Sequence, residues 1–371
     1  MSAEAAGHRS FESLLASWGG DQVVIRFLPR WGSWLFIAMH SRVLGPATGG
    51  SRLSTYPTSV DGLHDALRLA EAMTIKLAIA GMPCGGGKAV LAVPALPAGA
   101  VREQLLTAYA ETLASLGGRF QTGPDLNTTS SDMDLLARWS PHVFCRTEAN
   151  GGSGDSGRHT ARGVVHAIRT SLRHVFGSPV LTGRTVLVQG LGSVGAHVAQ
   201  LAAADGARVL VSDVDAARVR GIAHGVGAVP VAPADVIGSE CDVYAPCALG
   251  GVLTVDTIPR LRCRIVAGAA NNQLGVPEDA ERLRQAGVLY APDFVCNAGG
   301  VLHAIGSEAL GWSPARTEAA IASIGDRLAS IFMRADLDRV STDRAARVIA
   351  AQHLHAGPPR SDGAHPAGAS S

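Results

Sequence analysis

The feature that most constrains this chain is a glycine phrase, Gly190-Leu191-Gly192-Ser193-Val194-Gly195. It follows the apolar run TVLVQ (185–189) and opens a helical pattern over 192–204. In a strand–turn–helix setting the first glycine permits a tight turn, and the second lets backbone approach a pyrophosphate. The third lets the helix pack on the strand. The unpaired N–H groups of the helix N-terminus then receive the phosphates. Asp213 ends the next apolar run (208–213), 23 residues after Gly190. There a carboxylate would accept hydrogen bonds from an adenosine ribose and repel a 2′-phosphate, which favours NAD over NADP. Runs at 243–245 and 265–268 continue the strand–helix alternation, which predicts a doubly wound parallel sheet.

The chain has 371 residues, and at roughly 150 residues per domain that predicts two domains or one large α/β unit. The first half reads as α/β. Strands are expected at 22–27, 34–40 and 89–93 and near Phe120, and helices at 59–80, 101–116 and near Ser131. The segment 82–88 (MPCGGGK) is read as a break, and the glycine-rich 150–157 as the domain boundary. Beyond 160–175, a helix, and the dinucleotide-binding unit, the pattern turns helical at 318–334 and 342–353. The expected division is a first α/β domain over 12–150, completed by helices from 315–355. A Rossmann domain follows over 151–314 with a cleft between the two, and then a disordered polar tail over 355–371.

Charge narrows the function. There are 32 basic and 31 acidic residues, for a net charge of +1, which argues against a nucleic-acid partner. The most apolar stretch, 89–101, has 13 residues and two prolines, well short of the ~20 needed for a membrane span. Six cysteines (84, 145, 241, 247, 263 and 296) form no CxxC pair. They read as single thiols in a reducing compartment, with no metal site. The N-terminus lacks the pattern of a signal peptide, and a cytoplasmic location is expected.

Of the 32 basic residues only Lys76 and Lys88 are lysine. Genome composition alone can favour arginine, but both lysines sit in apolar, glycine-rich surroundings. Lysine, unlike arginine, can lose its proton in a protein. Two ammonium groups in one apolar cleft would depress each other's pKa, and desolvation would act in the same direction. One could hold a carboxylate while the other serves as a base near neutral pH. Asp125, in QTGPDLNTT (121–129), is a third candidate, with turn or helix capping as its other possible role.

Taken together, these stretches resemble the amino-acid dehydrogenases that act on glutamate, leucine, phenylalanine and valine. The resemblance covers residues 40–312. It rests on GPATGGSRL (45–53), MTIKLAIAGMPCGGGK (73–88), TGPDLNTTSSDMD (122–134), GLGSVG, APCALGG (245–251), GAANNQL (268–274) and YAPDFVCNAGG (290–300). TGPDLNTTSSDMD and the ALGW run (309–312) look most like actinobacterial phenylalanine dehydrogenases.

The resemblance implies reversible, NAD-dependent oxidative deamination to a 2-oxo acid and ammonia, in a homo-oligomer. It gives Lys76 the substrate carboxylate, Lys88 the activation of water, and Asp125 the protons at the amino group. Asn271 would lie between nicotinamide and substrate. Ser156 and Thr160 would touch the nicotinamide end, with Pro246, Cys247 and Ala270 beside it. Gly49 and Gly50 would border the substrate. Thr48 stands where glutamate enzymes of this family carry a lysine, so an apolar side chain is expected, in a pocket of Met73, Gly123 and Val301. Gly123 resembles the phenylalanine type, and Val301 the leucine and valine types; phenylalanine is favoured, with leucine or valine the alternative. A catalytically silent NAD-binding protein is the remote alternative. Arg158 and His159 have no role in the resemblance and read as surface residues.

Overall fold

The computed structural model describes residues 10–357. Two sheets organise the chain, each covered by helices on both faces. The first is built from α1 (Phe11–Ser17), β1 (Gln22–Leu28), β2 (Ser33–Met39), β3 (Ala47–Ser54), α2 (Ser59–Ile79), β4 (Gly85–Ala92), α3 (Gly99–Ser115), β5 (Phe120–Pro124) and α4 (Ser130–Ala137). Its strand order is β1-β2-β4-β3-β5. β3 runs parallel to β4 and β5, whereas β2 is antiparallel to β1 and β4. Side chains alternate along β2, as strand geometry requires. Leu35, Ile37 and Met39 pack with α3 residues such as Leu106 and Tyr109, while Phe36 and Ala38 pack with Leu63, Ala66 and Leu67 of α2.

The second sheet is wholly parallel. It is formed from α5 (Gly157–Phe176), β6 (Thr185–Gln189), α6 (Ser193–Ala204), β7 (Arg208–Ser212), α7 (Ala216–Val226), β8 (Val229–Pro230), β9 (Val243–Pro246), β10 (Ile265–Val266), α8 (Asp279–Gln285) and β11 (Leu289–Tyr290). The order β11-β10-β9-β6-β7-β8 reverses between β6 and β9. The carboxyl ends of strands at such a switch point form a ligand crevice. Then come α9 (Asp293–Cys296), α10 (Gly299–Glu308), α11 (Pro314–Ala322), α12 (Ile324–Asp338) and α13 (Thr342–Ala356). α13 packs on α2, so the C-terminal helices return to the first sheet. One buried cluster spans both halves, joining Leu77, Ile79 and Met82 to Val164, Ile168 and Phe332. Among the described residues no helix is long and apolar enough to cross a membrane.

Three expectations need correction. Gly85, Gly86 and Gly87 lie inside β4 and are not a break; none has a positive φ. They are there for close packing, because a Cβ on Gly86 would sit 2.0 Å from the Thr74 backbone nitrogen of α2. The helix expected over 318–334 is two helices meeting at Ser323. α13 runs through residues 355 and 356 of the expected tail, and 358–371 lie outside the described residues.

Candidate active site

β3, β4, β5 and α2 deliver the reactive side chains to one cleft of about 810 Å³ between the two sheets. Lys88 projects from mid-β4, where it pairs with Ala38 of β2, and its neighbour Ala89 pairs with Ser51 of β3. It is 5% exposed. Its ammonium lies 3.0 Å from Asp125 Oδ1, just past the end of β5. Gly50 makes the space for this pair: a Cβ there would lie 2.8 Å from the Asp125 Cβ and 3.3 Å from Lys88 Nζ. Gly49 must also be bare, since its Cβ would meet the Gly87 carbonyl oxygen at 1.8 Å. Met73 and Lys76 follow each other at i, i+3 on α2, so both face the cleft.

Asp125 also has a partner that the sequence reading did not single out. Arg52 Nε donates to Asp125 Oδ2 at 2.8 Å, and its Nη1 donates to Asp65 at 2.8 Å. Asp65 in turn accepts from Tyr56 and Arg68. Thr128 donates to the Ser51 carbonyl and accepts from the Asp125 N–H, which fixes the loop. Burial pushes the Asp125 carboxyl up, but Lys88 and Arg52 outweigh it and hold it well below the usual carboxylate range. Asp125 therefore stands ionised beside Lys88.

Burial is the first cause of both lysine shifts, and it makes the neutral form easier to reach. It lowers Lys76 to about 8, against the raising effect of Asp293. It also lowers Lys88, where Asp125 opposes the shift and Arg52 adds to it. The mutual repulsion expected of the two lysines is only a secondary cause at Lys76. At Lys88 the neighbouring cation that matters is Arg52. Asp293 is buried and its carboxyl is pushed up by desolvation, despite hydrogen bonds from the Gln273 and Phe294 N–H groups.

The cleft gathers eleven of the expected residues: Gly49, Gly50, Met73, Lys76, Lys88, Gly123, Asp125, Ser156, Thr160, Asn271 and Val301. Asn271 Oδ1 accepts from Asn297 Nδ2 at 2.7 Å, which leaves the Asn271 amide N–H groups as donors. Gly123 faces Phe144 and Cys145. A Cβ on it would sit 3.7 Å from the Phe144 carbonyl oxygen and 3.9 Å from Cys145 Sγ, which is ordinary contact.

The glycine phrase forms a separate group at the switch point. Gly190 has φ +92° and abuts Ala248, while Gly195 packs on the Gly190 carbonyl. Gly192 has open space where a side chain would be, as backbone approach to a pyrophosphate requires. Asp213 accepts from the N–H groups of Leu191 at 2.6 Å and Asp215 at 2.8 Å, so it is seated on the glycine loop itself. The Ser193 hydroxyl donates to Asp155, which also caps the Gly157 N–H. The Cys247 N–H donates to Gln189, and that of Ala270 to Pro246, which closes this end of the crevice. Val194 packs against the shared core. The open α6 N-terminus at Gly192 fits the phosphates of a dinucleotide. Arg158 is exposed. His159 is half-buried, and its ring stacks on His303 with centroids 3.6 Å apart.

Residues 35–141 match the family model described as Glu/Leu/Phe/Val dehydrogenase, dimerisation domain. Residues 151–220 and 212–334 match that of Glutamate/Leucine/Phenylalanine/Valine dehydrogenase. The chain is 42% identical to a valine dehydrogenase of Streptomyces coelicolor over 92% of its own length and 94% of the relative's. It is 37% identical to a leucine dehydrogenase of Geobacillus stearothermophilus, covering 86% of each chain. Its structure superposes on an L-tryptophan dehydrogenase from Nostoc punctiforme with a TM-score of 0.80 at 34% identity. That match covers 94% of this chain and 99% of the other.

Proposed function

Because the chain belongs to the glutamate/leucine/phenylalanine/valine dehydrogenase family, we propose that it catalyses the reversible oxidative deamination of an apolar L-amino acid with NAD. The observation that carries this reading is the Lys88–Asp125 pair, buried under Gly50 in the same cleft as Lys76 and Asn271.

In this account Lys76 holds the substrate carboxylate, and the Asn271 amide orients the amino acid from the opposite wall. A bound nicotinamide supplies a hydride acceptor at Cα. Asp125, held ionised by Arg52 and Lys88, takes a proton from the substrate amino group. Once that proton neutralises Asp125, Lys88 loses its ion-pair partner, and burial then favours release of its own proton to solvent, leaving the neutral amine to take a proton from the water that attacks the imine carbon. Asp125 then returns its proton to the nitrogen and, again a carboxylate, accepts the hydroxyl proton as the C–N bond breaks, so that ammonia leaves and the 2-oxo acid forms. Positioning in a closed cleft supplies much of the remaining acceleration. Arg52 is tested through pH. Its charge lowers the Lys88 pKa, so Arg52→Gln is expected to move the acid limb of kcat/KM to higher pH. An unmoved limb would separate Arg52 from the base.

NAD is favoured because the Asp213 carboxylate occupies the place that a 2′-phosphate needs. Residues 12–150 with 315–355 would bind substrate and 151–314 the cofactor. The family description of the first region suggests a homo-oligomer, and six unpaired cysteines suit a reducing, cytoplasmic setting.

The cleft chemistry supports an apolar side chain. Arg52, Arg68 and Arg347, the arginines lining it, each already pair with an aspartate. A side-chain carboxylate would therefore be buried without a cation of its own. Valine or leucine is favoured by the likeness to the valine and leucine dehydrogenases and by Gly123, where the freed space is about one methyl deep before Phe144. Phenylalanine remains a second reading, because Gly123 does lack that methyl. Relative kcat/KM on L-Val, L-Leu, L-Phe and L-Glu, each with NAD and NADP, tests the proposal. Branched aliphatic substrates with NAD are expected to lead. Gly123→Ala should fold normally and lower kcat/KM for phenylalanine more than for valine. Activity confined to L-Glu or to NADP would overturn this reading.

A further inference from the structure

Two walls of the cleft come from different parts of the chain. One wall is β5 extended by residues 142–144. Thr122 N–H donates to the His142 carbonyl at 3.1 Å, and Phe144 N–H donates back to the Thr122 carbonyl at 2.7 Å. This brings Phe144 and Cys145 opposite Gly123. The other wall is α10, which presents Val301, Ala304 and Ile305.

A single carboxylate oxygen joins them. Glu308, the last residue of α10, accepts at Oε1 from the Cys145 N–H at 2.8 Å and the Ser153 N–H at 2.9 Å, and also from the Ser153 hydroxyl. Its other oxygen is buried without a partner. A carboxylate held in this way satisfies three donors that the loop could not satisfy itself. Cys145 needs the anchor most, because it takes a left-handed conformation (φ +55°) that non-glycine residues disfavour. On its far side the same loop is held by Asp134 of α4, which accepts from the Thr147 N–H and hydroxyl and from Asn150. The loop is thus clamped between α4 and α10.

We propose that Glu308 is a specificity-positioning residue. By tying Cys145 and Ser153 to the end of α10 it sets the distance between the Phe144–Cys145 wall and the Val301–Ile305 wall. That width determines which apolar side chain the cleft accepts. Glu308 does not itself touch substrate. The proposal rests on the amino-acid dehydrogenase reading above.

The test compares kcat/KM for L-Val, L-Leu and L-Phe in the wild type, Glu308→Ala and Glu308→Gln. Shape discrimination by one methylene in an apolar pocket amounts to about 10- to 200-fold. Glu308→Ala is therefore expected to compress the spread among the three substrates by roughly tenfold, while KM for NAD stays unchanged. Glu308→Gln keeps an oxygen for all three donors and puts a neutral group at the unpartnered position, so it should retain the wild-type spread. If the alanine variant does not fold, Glu308→Asp carries the test. It shortens the tie by one methylene and should shift preference toward valine. An equal loss on all three substrates, or unchanged preference in the variant tested, would overturn the proposal and leave the dehydrogenase reading intact. A wild type that oxidises none of the three amino acids would overturn both.

Discussion

Replacing Lys88 by alanine is expected to lower turnover by about 10²- to 10⁴-fold, the range for loss of a general base, while NAD affinity stays near that of the wild type. The Lys88 ammonium lines a cleft to which the glycine loop does not contribute, so the cofactor end keeps its contacts. Asp125 keeps Arg52 as a partner at 2.8 Å, and the buried carboxylate is not left without a cation. Thermal unfolding and NAD binding by fluorescence, measured beside the rate, distinguish a lost base from a lost fold. A Lys88→Ala enzyme within threefold of the wild type would remove Lys88 from the chemistry.

Lys76 is expected to fail differently. Removing one partner of a buried, hydrogen-bonded charge pair costs about 2–5 kcal/mol, or roughly 30- to 4,000-fold in kcat/KM at 1.4 kcal/mol per decade. Lys76→Ala should lose that much, chiefly through KM for the amino acid. The pH profile gives an independent check. With a pKa of about 8 in the free enzyme, Lys76 is charged below that pH and neutral above it. Its contribution to binding a carboxylate should therefore fade as pH rises through 8, giving an alkaline limb in kcat/KM. Lys76→Arg stays protonated throughout, so whatever activity it retains should lack that limb. An arginine variant with the same alkaline limb would assign the limb to another group.

How far the site was legible in the sequence depended on which residues announce themselves. TVLVQ was read to the residue, because an inner parallel strand is a continuous apolar run and a glycine turn ends it. The lysine pair stood out against an arginine background, and structure and sequence agree in bringing it to one cleft. β3 was not read as a strand because ATGGSRLS resembles a turn. Its glycines are imposed by the Gly87 carbonyl and by the Lys88–Asp125 pair, which are distant in sequence. For the same reason Arg52 carries no local signal, because its partner Asp125 lies 73 residues away. The break at Ser323 has no proline, and Gly325 two residues on lies buried inside α12, so the helical period reads straight through it. Glu308 acts across 155 and 163 residues, a separation that local pattern does not reach.

The most direct test of the account is the product stoichiometry of the purified enzyme acting on L-valine and NAD in an alkaline buffer. NADH would be followed at 340 nm, and ammonia and the 2-oxo acid assayed in the same reaction. The account predicts one NADH, one ammonia and one 2-oxo acid per valine consumed, with all three lost together in Lys88→Ala. NADH formed without ammonia, or no turnover of any apolar amino acid by a folded protein that binds NAD, would contradict it.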